Sequence, residues 1–313
     1  GLRLWHIANE YGTHCFCETC AAAFRLWLRE RYGTVEELNR RWNLAFWGHT
    51  VYDWDEVNAP SELNDDNKWY QPKMLDYLRF QTDASLGCYL AEYAVLKAAT
   101  PDIPVTTNIS GLIKSLDQHR FAPYFDVVAW DNYPQPADAP SFVALKHGLM
   151  RGLKDGQSFI LAEQTPSQQN WQPYNRQKRP GEMRLLSYQA LAHGADSVLF
   201  FQLRASVGGV EKFHGAVIGH SGHGDTRDFR ECAQQGRELE SLGGQFLGAR
   251  SDARVAIVFD WDAWWAVELS SGPSVDLKYL DQVHAWYRAC HEQGIAADIV
   301  RQDADLSDYK LVI

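Results

Sequence analysis

Five short apolar runs recur along the chain, Leu4 to Ala8, Ile103 to Ile109, Phe125 to Trp130, Ser158 to Ala162 and Ser197 to Leu203, with helix-like stretches between them. Runs apolar on consecutive positions suit strands buried on both faces, and strands separated by helices suit parallel pairing with crossovers. The fold class this points to is α/β. The helices carry their own punctuation. Ala21 to Tyr32 sets Phe24, Trp27, Leu28 and Tyr32 at three-to-four spacing and stops at Gly33, and Thr34-x-x-Glu37 fits a capping box for a second helix. Lys73 to Ala99 reads as a long helix closed by Thr100-Pro101, and Pro180 as the first-turn proline of a helix running to His193.

Polar residues follow the strands: Asn9-Glu10, Asn108 to Ser110, Asp131-Asn132-Tyr133, Glu163-Gln164 and Gln202 to Arg204. The carboxyl ends of parallel strands form the ligand face in both a (β/α)8 barrel and a doubly wound sheet, so function is expected there. No glycine-rich phosphate loop follows a strand, which weakens a nucleotide-binding reading. After residue 250 the pattern restarts, with a strand at Arg254 to Phe259, a helix from about Asp276 to Gln293 and strand-like pieces at Ala297 to Val300 and Lys310 to Ile313. At 313 residues two domains are expected, 1–250 and 251–313.

A net charge of -10 without any basic run argues against a nucleic-acid surface, and no apolar run approaches the roughly 20 residues that cross a bilayer. A soluble, cytoplasmic protein with no membrane partner is expected. Aromatics in turn-like surroundings, such as Phe46-Trp47-Gly48, Asn170-Trp171-Gln172 and Asp260-Trp261-Asp262, offer flat faces for a sugar or another ring ligand, or else fill the core. Cys15, Cys17 and Cys20 form a Cys-x-Cys-x2-Cys cluster better suited to metal than to a disulfide ladder, while Cys88, Cys232 and Cys290 fall in helices and read as buried thiols. Two strand-end carboxylates, Glu10 and Glu163, supply the pair that glycoside hydrolysis needs, one to protonate the leaving oxygen and one to attack or activate water. Taken alone, such residues are as readily helix caps or ion-paired loop groups.

The surrounding strings say more. Trp5-His6-Ile7-Ala8-Asn9-Glu10-Tyr11-Gly12, the cysteine cluster, Phe24 to Gly33, Asn43-Leu44-Ala45-Phe46-Trp47 and Asp53-Trp54 resemble the acid/base region of glycoside hydrolase family 42 β-galactosidases. Asp131-Asn132-Tyr133-Pro134, Glu163-Gln164-Thr165-Pro166 with Asn170-Trp171, and Glu211-Lys212-Phe213-His214-Gly215 resemble later stretches of that family in the same order. The resemblance covers residues 1 to about 250 with specific motifs and the remainder more loosely.

The resemblance implies a retaining β-galactosidase, with Glu10 as general acid/base at the end of the fourth barrel strand and Glu163 as nucleophile after the seventh. It implies sugar contacts from Asn9, Trp47, Trp171, Glu211 and His214, and a nucleophile oriented by Tyr133. No cofactor is implied for catalysis. Cys15, Cys17 and Cys20 match a cluster that holds structural zinc in many members, with a fourth cysteine from an earlier strand; His14 is a possible stand-in. The second segment resembles the start of the family's Rossmann-like α/β trimerisation domain, implying a homotrimer. On this reading the chain is an internal piece of a longer enzyme, barrel strands four to eight and the start of the next domain, and it is expected to fold poorly and to be inactive alone because two strand edges would be unpaired. Other readings on the same scaffold are an α-L-arabinopyranosidase or β-fucosidase, or a carbohydrate-binding fragment without activity.

Overall fold

The computed structural model describes residues 1–61, 70–270 and 272–313, and every strand pair among them is parallel. β1 (Trp5–His6) pairs with β2 (Val105–Thr106). β3 (Asn108–Ile109), β4 (Val128–Asp131), β5 (Phe159–Glu163) and β6 (Ala195–Val198) form a four-stranded sheet whose spatial order follows the sequence. Between β1 and β2 lie α1 (Glu18–Tyr32), α2 (Val35–Trp42) and α3 (Gln71–Ala99). The short α4 (Gln118–Phe121), then α5 (Pro140–Gly152) and α6 (Glu182–Ala192), connect the successive strands of the sheet. The chain leaves through α7 (Arg227–Leu242) into a second sheet of order β8-β7-β9, built from β7 (Val255–Val258), β8 (Ala297–Val300) and β9 (Leu311–Val312), with α8 (Trp261–Glu268) and α9 (Tyr279–Glu292). No described helix is long and apolar enough to cross a membrane.

Local signals account for most boundaries. α1 ends where Gly33, at φ 75°, donates its backbone N–H to Arg29 O, and Thr34 Oγ1 accepts from Glu37 N at 3.2 Å to start α2. The reciprocal half of that capping box is absent, because the Glu37 carboxylate pairs with Arg40 and Arg41 instead. Three expectations are corrected. The run from Ile103 divides at Thr107, one part pairing with β1 and the other with β4. Pro180 stands ahead of α6 rather than in its first turn, since Gly181 at φ 80° makes the bend and caps the helix. The run from Ser197 begins as a strand at Ala195 and leaves the ladder after Val198, where Leu199 and Phe201 bond to the backbone around Gln164.

The segment Asp260-Trp261-Asp262 is the largest surprise, because it opens a helix. Asp260 accepts from Asp262 N at 3.0 Å as N-cap, and Trp261, Trp264 and Trp265 then fall on one buried face. Their indole N–H groups are satisfied: Trp261 donates to Ile113 O at 3.1 Å, Trp264 to Glu268 Oε1 at 3.1 Å and Trp265 to Lys114 O. Burying a ring of this size contributes roughly 4–6 kcal/mol of gross transfer free energy, so these tryptophans are core and not ligand faces. They belong to one apolar cluster that also takes in Trp130, Phe159 and Leu161 of the first sheet and Ile257 and Ile299 of the second. A smaller cluster of Phe24, Leu28, Leu38, Trp42 and Tyr77 fastens α1 and α2 onto α3. Buried Asp76 anchors it, accepting from Tyr32 Oη at 2.5 Å, Trp42 Nε1 at 2.8 Å and Arg79 Nη1 at 2.8 Å, while Arg79 also grips Asp262 at 2.7 Å. Of the three isolated cysteines only Cys290 is buried; Cys88 is exposed and Cys232 partly so, since their helices turn those positions outward.

The two sheets meet most closely where α5 lies against β8. A Cβ added at Gly152 would stand 1.7 Å from Ile299 O, so nothing larger than hydrogen fits. Gly152→Ala is therefore expected to destabilise the fold by about 3 kcal/mol, at the upper end for overpacking. Gly236→Ala on α7, where no neighbouring atom lies within 4 Å, should be neutral or gain up to about 1 kcal/mol from helix propensity. Denaturant melts of the two variants check this, and equal midpoints would mean that the α5–β8 contact is looser than described.

Candidate active site at the carboxyl ends of the strands

The polar residues that follow the strands converge on one cleft of about 550 Å³ lined by Asn9, Glu10, Ser110, Tyr133, Glu163, Trp171, Phe201 and Glu211. Each is delivered by a strand end or the loop beyond it. β1 hands the chain to a turn in which Ala8 (φ 51°) and Glu10 (φ 50°) both take the left-handed conformation that residues with a Cβ rarely adopt. Such a turn aims the Glu10 side chain into the cleft. β4 ends in Asp131 and is followed by Tyr133; β5 ends in Glu163, tied back by Asn132 N donating to Glu163 O at 2.9 Å.

Asn108 on β3 is the hub. Its Nδ2 donates to Asp131 Oδ2 at 2.6 Å and to Asn9 Oδ1 at 3.1 Å, and its Oδ1 accepts from Glu10 N at 3.1 Å, with His6 Nε2 2.9 Å away. One side-chain oxygen each of Glu10, Asp131 and Glu163 lies within 4.8 Å of the others. Burial pushes the Glu163 carboxyl above its ordinary range, the Tyr133 hydroxyl pulls it back by donating to Oε2 at 2.6 Å, and the negative charge of Glu10 raises it again. Burial likewise drives Asp131 up to about 9, reinforced by the charges of Glu163 and Glu10 and opposed by the Asn108 hydrogen bond. Tyr133 is held firmly in its phenol form by burial and by Glu163.

Around this cluster stands an aromatic and polar rim. Trp171, about half exposed, and Phe201 form two faces, and Glu211 faces them from the loop after β6. His214 is buried behind the rim, not on it. Its Nδ1 lies 2.9 Å from Asn170 Oδ1, its ring meets Tyr133 edge-on at 5.5 Å, and its buried Nε2 has no partner among the described residues. Desolvation lowers its pKa to about 4, so the imidazole is neutral. The loop that follows Glu163 is pinned by buried Lys178, which donates to Thr165 O at 3.0 Å and Ser167 O at 2.9 Å. Trp47 stands apart: it is exposed on a short turn at φ 57°, stacked on Phe46, and does not line the cleft.

Asp131, Asn108, His6, Ser110 and Phe201 join the site beyond the residues that the sequence alone singles out. Asn108 and Asp131 stood among the strand-end polar residues, and their role could have been inferred from that position. Phe201 could not, since it sits inside an apolar run.

The thiols of Cys15, Cys17 and Cys20 gather at the N-terminus of α1 with their sulfurs within 4.8 Å of one another. The backbone N–H of Cys20, with the neighbouring thiols, lowers Cys17 to about 7, while burial and the same neighbours push Cys20 up to about 12, so Cys17 is the thiol readiest to ionise. His14 is no part of this cluster, because its Nε2 is 2.7 Å from Ser115 O and so donates there. Three soft ligands on one face fit tetrahedral zinc with one position left for a further ligand.

Two family models match the chain: Beta-galactosidase, of glycoside hydrolase family 42, over residues 1–242, and Beta-galactosidase trimerisation domain over residues 253–313. The beta-galactosidase BgaP of Planococcus sp. (strain L4) is 54% identical over 99% of this chain and 46% of its own length. The beta-galactosidase BgaB of Geobacillus sp. is 47% identical over 100% of this chain and 47% of its own. Among solved structures, the beta-galactosidase from Bacillus circulans sp. alkalophilus superposes with a TM-score of 0.96 at 56% identity, covering 99% of this chain and 46% of that one. That from Rahnella sp. R3 gives 0.94 at 43% identity, over 98% and 46%. The chain thus spans about half the length of the curated relatives it matches.

The Tyr133 hydrogen bond has a direct test. Because that donor stabilises the Glu163 anion, Tyr133→Phe should raise the pKa of Glu163 further, so that the carboxyl stays protonated to higher pH. Carbon NMR titration of labelled glutamate side chains would follow the shift, and an unchanged titration would show that the bond does not form in solution.

Proposed function

The chain belongs to the glycoside hydrolase family 42 β-galactosidases, and on that premise we propose that it carries the catalytic pair of a retaining enzyme acting on terminal β-D-galactosyl residues. The observation that supports this most is the approach of Glu10 and Glu163 to within 4.8 Å, side-chain oxygen to oxygen. Retaining glycosidases work by double displacement and need their carboxyls about 5–5.5 Å apart, whereas inverting enzymes need room between them for a water.

In the first step, Glu163 attacks the anomeric carbon as an anion while Glu10 gives its proton to the departing glycosidic oxygen. The galactosyl ester so formed is then attacked by water, which passes its proton to Glu10 as the bond to Glu163 breaks. Tyr133 holds the Glu163 carboxylate in one rotamer through its 2.6 Å hydrogen bond. Asn9 is near enough to Glu10 to offer its amide to the sugar 2-hydroxyl, an interaction that strengthens as the transition state gains charge. Trp171 presents a ring to the apolar face of the sugar, Glu211 accepts from its hydroxyls, and His214 contributes either its buried Nε2 or its support of Tyr133. Trp47 would reach a substrate only if the turn that carries it moves or packs against another part of the molecule.

At the level of architecture, residues 1–250 would form strands four to eight of a (β/α)8 barrel and residues 251–313 the start of a Rossmann-like trimerisation domain, in a cytoplasmic homotrimer. The sequence-ordered sheet β3-β4-β5-β6 is compatible with a barrel wall. Cys15, Cys17 and Cys20 would hold a structural zinc that stiffens the loop behind Glu10.

Two measurements test these assignments. In the full-length enzyme, Glu163→Ala should abolish hydrolysis of a nitrophenyl galactoside, and azide should restore turnover with a product of inverted configuration. Glu10→Ala should cost about 100- to 10,000-fold on substrates with poor leaving groups while sparing the first step for good ones, which need no protonation. Preference for an arabinopyranoside or fucoside over the galactoside would change the sugar and leave the mechanism. For the metal, residues 1–313 alone should bind zinc substoichiometrically and lose it readily to chelators, because one tetrahedral position is open. Tight one-to-one zinc in that chain would mean that another of its residues completes the site.

A further inference from the structure

We propose that Asp131 is a positioning residue for Glu10 and Glu163, held as a neutral carboxylic acid so that three carboxyl groups can share the end of one sheet. Its kinetic consequences rest on the glycosidase reading; its protonation does not. Three like charges within 4.8 Å of one another cannot all persist, and one of the groups must keep a proton. Surroundings decide which. Glu163 receives the Tyr133 hydroxyl and lines the open cleft, as does Glu10. Asp131 is only 2% exposed and does not line it. Its one donor among the described residues is Asn108 Nδ2, on Oδ2; Oδ1 is buried without a partner.

An ionised carboxylate in that place would leave a charged oxygen neither solvated nor bonded, whereas a protonated Asp131 has oxygens of Glu10 and Glu163 within 4.8 Å to accept from its hydroxyl. The groups bearing on the site agree. From the turn after β1 comes Glu10, from β5 Glu163 and from the loop after β6 Glu211, none of them a cation; His6 on β1 is turned to Asn108, and Tyr133 keeps its proton. Burial and both glutamates push Asp131 the same way. With its proton retained, Asp131 adds no third charge to the cluster. Asp131 then bonds the glutamates instead of repelling them. The proton is neither gained nor lost during turnover, which separates Asp131 from the acid/base.

Asp131→Asn, which keeps a neutral group with one acceptor for Asn108 and donors for the glutamates, discriminates this from a role as an anion. In the intact protein, Asp131→Asn should keep kcat on a nitrophenyl galactoside within about threefold, with KM and the acidic limb of the pH profile unchanged. Asp131→Ala, which removes the hydrogen bonds, should lose about 100-fold in kcat, the loss that a small misplacement of reacting groups produces. Should the alanine variant fail to fold, the asparagine variant decides alone. An asparagine variant crippled at every pH would overturn the proposal, because it would show that a charge is required; two variants both equal to the parent would overturn it by showing that Asp131 positions nothing. Infrared difference spectra give a readout free of activity: at pH 7.5 the parent should show one more carbonyl band of a protonated carboxylic acid than Asp131→Asn does. If the parent protein hydrolyses no galactoside, the glycosidase reading fails, while the infrared band still decides whether Asp131 is neutral.

Discussion

The side chain of Asn108 holds the working end of the sheet together. A strand contributes backbone bonds only along its own ladder, and β1 and β4 share no ladder. The amide of Asn108 spans the gap, donating toward Asn9 on one side and Asp131 on the other while accepting from the backbone of Glu10. Only a group with two donors and an acceptor on a short, rigid stem meets all three demands, and asparagine is that group. Because the residue is buried, each of these bonds forms in a medium of low polarity, where a missing partner costs far more than at the surface. The placement of Glu10 relative to Glu163 is thereby coupled to the packing of β3 against β4.

That packing in turn leans on the second sheet. The tryptophans of α8 reach back to carbonyls at 113 and 114, in the segment following β3, and Arg79 joins α3 to Asp262 at the start of α8. Arg151 on α5 pairs with Asp298 on β8 at 2.7 Å, close to where Gly152 touches Ile299. One apolar cluster runs through both sheets. The second segment therefore acts as a buttress for the loops that carry the site, and its contacts are as much a part of the site's rigidity as the hydrogen bonds within it.

Much of this was legible in the sequence because the relevant signals are local. Alternation of apolar runs with capped helices gives parallel α/β architecture, and polar residues just past each run mark the face where Glu10 and Glu163 meet. The extent of a strand was less legible: whether Ser197 to Leu203 stays in the ladder depends on what Gln164 offers across the gap, a non-local fact. The helix at Trp261 is hidden for a related reason. A tryptophan between two aspartates reads as turn-like, its ring open between ligand face and core, until Asp260 is seen as a cap and Trp264 and Trp265 complete a buried face. Trp47 and His214 carry less information in the sequence, since residue type alone fixes neither the exposure of the first nor the burial of the second. The importance of Asp131 needed three strand ends in register, and no window of the sequence contains them.

The turn at Ala8 and Glu10 has a consequence for how such a protein can change over time. Two departures into left-handed backbone on either side of Asn9, each by a residue with a Cβ, hold free energy of roughly 1–2 kcal/mol apiece that the surrounding contacts must offset. A glycine at position 8 would relieve part of that load and firm up the native state, yet it would also widen the range of directions in which the next two residues can point. The lineage is thus caught between robustness and aim: variants selected only for heat resistance would drift toward glycine here, and those selected for turnover would keep the strain.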